Sequence, residues 1–156
     1  MEIVAAERFV KSLMRDNGLE SLPFAWDRAV TSYGRTLFVR DRLTREVSAE
    51  KITLSKPLIP FLDTEQVHEI ALHEIGHALA GYYAAHGPEW RSIVRQIGGN
   101  PQRTYDAVSL EDRAKVSKYV IRCATTDKII AVRQRSTGML YLCNCCGRPA
   151  KVIANR

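Results

Sequence analysis

Five residues, His73-Glu74-Ile75-Gly76-His77, constrain this chain more than any other feature of it. On an α-helix, residues four apart project only about 40° from one another, so His73 and His77 can direct two imidazoles at one ion. Glu74 then lies beside them on the same rim. Apolar Ile70, Ala71, Ile75, Ala78 and Leu79 share the segment, which predicts a packed helix. Asp63 followed by Gln66 resembles a capping box and sets its start near Thr64. The pattern suits zinc chemistry: the ion lowers the pKa of a bound water and polarises a carbonyl, while a carboxylate just outside the ligand set takes the proton. His73 and His77 are candidate zinc ligands, and Glu74 is the candidate general base of a hydrolase.

A catalytic zinc usually keeps three protein ligands and one open position, so a third donor is needed. His68 lies five and nine residues before the pair, which on one helix turns it about 140° and 180° away. His86 reaches the site only if the chain reverses after Gly81, and His86-Gly87-Pro88 favours such a turn, since glycine permits unusual dihedrals and proline disfavours helix just before it. Glu89, Glu111 and Asp112 are rival third ligands; His86 is preferred. Ala80 and Tyr83 occupy the positions of the glycine and third histidine in the long metzincin signature, which disfavours that class.

Around this centre, residues 2–17 read as an amphipathic helix, and Phe24 to Leu58 as two or three strands broken by Tyr33-Gly34 and the charged stretch Arg40 to Glu50. A helix is predicted from Pro88 to about Ile97, and a shorter one capped by Ser109 with Asp112. Strands follow at Tyr119 to Cys123, Lys128 to Gln134, Met139 to Cys143 and Ala150 to Ala154, with Ser136-Thr137-Gly138 turning the second into the third. A boundary is expected near residues 112 to 118.

Charge divides the chain at about the same point. Residues 1 to 112 carry 13 Lys/Arg against 16 Asp/Glu, whereas the last 44 residues carry ten Lys/Arg against Asp127 alone. A polyanionic partner for that tail is expected, a solvated basic face being the simpler alternative. Three of the four cysteines, Cys143, Cys145 and Cys146, crowd into four positions, which is metal-ligand spacing rather than a disulfide framework and fits a reducing cytoplasm. The first 18 residues lack the apolar core of a signal peptide, and no segment is long and apolar enough for a membrane span.

These residues together resemble the SprT-like zinc metallopeptidases, the Spartan-related family. The resemblance rests on the His-Glu-x-x-His helix, on His86-Gly87-Pro88-Glu89-Trp90 after a short connection, on the lead-in strand Ile52-Thr53-Leu54-Ser55, on Ile97-Gly98-Gly99 and on the cysteine-bearing C-terminus. It implies an α+β fold: a minimal zincin-like metallopeptidase domain over residues 1–115, with a short β-sheet and an active-site helix, then a zinc-ribbon-like β-hairpin subdomain over 116–156. It implies one catalytic zinc on His73, His77 and His86, Glu74 as catalytic residue, and action on DNA-associated or DNA-crosslinked proteins. The family pattern has two Cys-x-x-Cys knuckles on a structural zinc. Here Cys143 and Cys146 make one, while Cys123 faces Thr126, so three thiolates need a further group: Cys145, Asp127 or water. A metal-free hairpin is the alternative.

Lys128, Arg133, Arg135, Arg148 and Lys151, with Tyr119 and Tyr141, would suit single-stranded or junction DNA if the ribbon folds. Three functions follow: a zinc endopeptidase on protein substrates, a DNA-binding adaptor that keeps the fold with little proteolysis, and a zinc hydrolase of a non-protein substrate.

Overall fold

The sequence resolves into four helices and two small sheets in a computed structural model that describes every residue except 103–106, 137, 139 and 156. The order is α1 (Ile3–Asp16), β1 (Phe24–Asp27), β2 (Gly34–Arg40), β3 (Val47–Ser55), α2 (Thr64–Ala80), α3 (Pro88–Gln96), α4 (Leu110–Val116), β4 (Tyr119–Arg122), β5 (Ile129–Arg133) and β6 (Lys151–Ala154). Single 3-10 turns lie at Ile59–Phe61 and Tyr82–Ala84. The architecture is mixed α+β. Among the described residues no helix is long and apolar enough to cross a membrane.

In the first sheet β3 is central, pairing in parallel with β1 and antiparallel with β2. Its Ile52 and Leu54 are fully buried. Thr53 and Ser55 are buried as well, which is tolerable because Thr53 donates to Asp27 and Ser55 to the Ala29 carbonyl. The hairpin between β2 and β3 runs further than expected: strand extends through Arg40 and resumes at Val47, inside the stretch read as a charged connection. The side chain of Asp41 accepts from the Leu43 and Thr44 amides and tightens the turn.

Helix α2 crosses this sheet, and its Val67, Ile70, Ala71, Leu72 and Ile75 join Ala6, Val10 and Met14 of α1, with Ile52, Leu54, Leu58, Ile59 and Leu62, in one core. The capping box is present: the Asp63 carboxylate accepts from the Gln66 amide, and the Gln66 side chain accepts from the Asp63 amide. Helix α3 packs on α2 so closely that a Cβ at Gly76 would stand 2.4 Å from Val94 Cγ2. Only glycine lets the two helices approach at that point.

The second sheet has the order β5-β4-β6, both pairs antiparallel, and Val120 and Val132 form a small core with Val30 and Ala114. The expected hairpin is thus a three-stranded sheet, in which β4 takes β6 as its second neighbour. Of the strand expected at Met139 to Cys143, the described residues form one isolated bridge, Leu142 to Pro149. Thr137 and Met139 lie outside the described residues.

Arg113 joins the two cores. Buried to 9% exposure, it donates to the carbonyls of Val108 (3.1 Å) and Val30 (2.7 Å) and lies 4.6 Å over the Tyr33 ring. The Tyr33 hydroxyl in turn accepts from the Ala107 and Val108 amides. One cation of the basic tail is therefore a packing residue, paired with carbonyls rather than offered to a partner.

Candidate metal centre

The capping box and packing that fix α2 also set His73 and His77 one turn apart in its C-terminal half. After Ala80 the chain reverses: Gly81 has φ 81°, the 3-10 turn Tyr82–Ala84 follows, and the Gly87 amide closes a tight turn onto the Ala84 carbonyl (2.8 Å). Ala85 stands at the corner of that turn with φ 44° and ψ −123°, a region that favours glycine. The reversal brings in His86. The three Nε2 atoms form a near-equilateral triangle, with His73–His77 at 3.3 Å and His86 at 3.1 Å from both. Three nitrogens at about 2.05 Å from a tetrahedral zinc stand about 3.3 Å apart, so the donor set fits such an ion without rearrangement.

Trp90 forms the floor of the triad. Fully buried, it meets the His73 and His86 rings edge-on at 4.7 Å, stacks on His77 at 5.2 Å and donates its indole N–H to the His73 carbonyl at 3.4 Å. Arg91 donates to the His86 carbonyl from the next position. Burial lowers the pKa of His73 and His77 to about 4. Neutral imidazoles are the form that binds a metal. A backbone hydrogen bond from the His73 ring to Gln102 offsets part of that fall at His73.

Glu74 is buried to 7% exposure, and burial raises its pKa to about 7. Thr36 of β2 holds it, its hydroxyl lying 2.9 Å from Glu74 Oε2 and 2.7 Å from the Glu74 carbonyl. Gly34 makes room, since a Cβ there would stand 2.9 Å from Glu74 Cγ and 2.7 Å from Leu54 Cδ2. The triad and Glu74 line an open cleft of about 420 Å³ with Gly34 to Phe38, Tyr82 and Ala85. Along one wall runs β2, an edge strand.

Sequence reasoning did not assign Thr36 or Gly34 to this site, and only their tertiary placement reveals them. Of the rival third ligands, Glu111 and Asp112 are on α4, where Asp112 pairs with Ser109 and Lys115. Glu89 does not enter the histidine group, and His68 packs against Phe9 away from it.

The four cysteines form a second donor group, with all sulfurs within 4.8 Å of one another. Cys123, Cys143 and Cys146 are joined there by Cys145, which stands 3.3 Å from Cys123 and 2.9 Å from Cys143. Cys123 and Cys143 are buried and all four are free thiols. The Thr126 hydroxyl and the amides of Thr126 and Thr125 bond to the Cys123 sulfur and hold its pKa down to about 5.

An α+β chain with a three-histidine group able to hold a metal ion, beside a buried carboxylate, is the class that fold and site define. The profile of the SprT-like family matches residues 5–111, and the chain belongs to that family. Among its relatives, Protein SprT of Glaesserella parasuis serovar 5 (strain SH0165) is 24% identical over 104 residues, which cover 62% of this chain and 66% of the relative. Protein SprT of Pseudomonas syringae pv. syringae (strain B728a) is 32% identical over 95 residues, 57% of each chain. The matched region thus spans less than two thirds of either relative. No solved structure matches the chain. The family match contains the whole histidine group and ends before the first cysteine.

Proposed function

We propose that the chain is a zinc-dependent endopeptidase of its family, with His73, His77 and His86 as metal ligands and Glu74 as the catalytic base. The observation that carries this reading is an imidazole triangle of 3.1–3.3 Å edges next to a buried carboxylate, lining an open cleft. A zinc ion held there would supply Lewis acidity toward a carbonyl oxygen and toward water. Glu74 Oε2, steadied by the Thr36 hydroxyl, takes the proton of the attacking water and later delivers it to the leaving amine. Its raised pKa suits both halves of that task near neutrality. The free edge of β2 can pair with an extended peptide, whose main-chain groups would supply affinity without demanding a particular sequence.

The substrates we favour are proteins associated with or crosslinked to DNA. Support comes from the charge of the C-terminal region and from a hollow of about 250 Å³ on the second sheet lined by Tyr119, Arg133, Arg135 and Tyr141, a pairing of cations and aromatic rings suited to phosphates and unpaired bases. The same hollow is what would favour a DNA-binding adaptor with little proteolysis.

Glu74→Gln separates the two. Mutagenesis of a general acid–base group costs about 10²–10⁴-fold in rate, so the variant should bind metal and DNA normally yet cleave a DNA-bound protein at least about a hundredfold more slowly. Equal cleavage by the variant and the wild type would refute the assigned mechanism. DNA binding without cleavage by either would favour the adaptor.

A further inference from the structure

We propose that Cys145 supplies the fourth sulfur of a tetrathiolate site for a zinc-type divalent cation, in place of the thiol that Thr126 lacks. The site would draw one ligand from the first turn and three from the second. The proposal stands apart from the peptidase reading, because none of these residues touches the histidine cleft.

The two turns have the same backbone design. The Cys123 amide donates to the Lys128 carbonyl and the Cys143 amide to the Arg148 carbonyl, both at 2.9 Å. Four residues after each leading cysteine comes a left-handed residue, Asp127 with φ 57° and Gly147 with φ 67°, whose amide returns to the cysteine carbonyl. In this correspondence Thr126 stands where Cys146 stands, and Thr125 where Cys145 stands. Thr126 is already committed: its amide and hydroxyl both bond to the Cys123 sulfur, as a donor that supports a thiolate rather than as a ligand. A hydroxyl is also a poor partner for a soft site.

Three sulfurs at the remaining corners leave one place to fill. Cys145 Sγ lies between the leading cysteines of both turns, 3.3 Å from Cys123 and 2.9 Å from Cys143, while Cys123 and Cys146 are 3.6 Å apart. These separations are too long for a disulfide, about 2.05 Å. They fall short of the edge of about 3.8 Å of a zinc–sulfur tetrahedron, the pair Cys143–Cys145 at 2.9 Å by the most, so the sulfurs would spread as the ion enters. Asp127 is the weaker candidate, because its carboxylate is 68% exposed and is directed to Arg122. Four thiolates around a divalent ion leave two negative charges, which Arg122, Lys128 and Arg148 in and beside the turns are placed in sequence to offset.

The test uses the full chain, stripped of metal and reloaded with Co²⁺, whose sulfur-to-cobalt charge-transfer absorption counts thiolates and ignores the histidine site. Wild type should show four-thiolate intensity. Cys145→Ser should lose about a quarter of it and bind cobalt at least about tenfold more weakly, since loss of a mere supporting contact already costs 10–100-fold. Adding Thr126→Cys to Cys145→Ser should restore both, and Asp127→Asn should change neither. Intensity unchanged in Cys145→Ser, or diminished in Asp127→Asn, would overturn the assignment. A second readout needs no variant: in the zinc-loaded wild type none of the four thiols should react with iodoacetamide, whereas prompt alkylation of Cys145 alone would also overturn it.

Discussion

Two of the imidazoles ride on α2 and the third on the tight turn ahead of α3, all three packed around Trp90, whereas the four thiols hang from two short turns tied mainly by main-chain hydrogen bonds. Around the histidines the core is dense: Ile75, Trp90 and Val94 are fully buried. Around the thiols the apolar residues face outward, Leu140 at 80% and Leu142 at 65% exposure. A donor triangle can thus be assembled in advance by packing, at a cost met by the hydrophobic core. A donor tetrahedron on exposed turns has little to hold it together except the ion it binds.

Chelation should expose that difference most strongly. Structural zinc contributes on the order of 10 kcal/mol in small metal-dependent domains. Metal removal should therefore open the C-terminal region to trypsin at Lys128, Arg133, Arg135 and Lys151 while α2 and the first sheet stay protected. Equal protection of both regions in the stripped protein would erase the distinction.

Next in size is Trp90→Ala. Loss of a fully buried tryptophan costs about 3–5 kcal/mol, and here it also removes the surface against which all three imidazoles rest. The expected result is a lower melting temperature together with weakened metal binding at the histidine site, and an unaltered ribbon. Stability loss with undiminished affinity at that site would show that Trp90 fills space without orienting ligands.

Much of the histidine site was legible because its signals are local. The capping box at Asp63, the spacing of His73 and His77, and the break at His86-Gly87-Pro88 each act within one or two turns of chain. Thr36 and Gly34 were illegible because they reach Glu74 from a strand 38 and 40 residues earlier in sequence, and no local rule says which strand will border α2. Arg113 misled for a related reason: charge assigns it to the basic tail, and only the fold reveals that the Val30 and Val108 carbonyls await it. The pairing of β4 with β6 depends on where the chain returns after the cysteine turn. Periodicity does not record that.

A smaller effect concerns pH. In the metal-free protein, burial holds His73 and His77 neutral down to about pH 4, whereas unfolded histidine protonates near 6.5. The unfolded state therefore binds more protons between these values, so this contribution to stability is complete above pH 6.5 and is lost as pH falls toward 4. Unfolding of the metal-free chain should show that acid dependence, and His73→Gln should reduce it. Glu74, with its pKa raised to about 7, acts in the opposite sense over much of this window, so the readout is the difference between wild type and His73→Gln; no difference from pH 6.5 to 4 would mean that the imidazoles are more hydrated than their packing implies.

Metal content per chain decides whether the three imidazoles form the metal site. Two equivalents of zinc are expected in the wild type and one in His86→Ala, the remaining ion being the one held by thiolates. Two equivalents retained in His86→Ala would contradict this expectation, for the three-imidazole triangle would then not be the binding site.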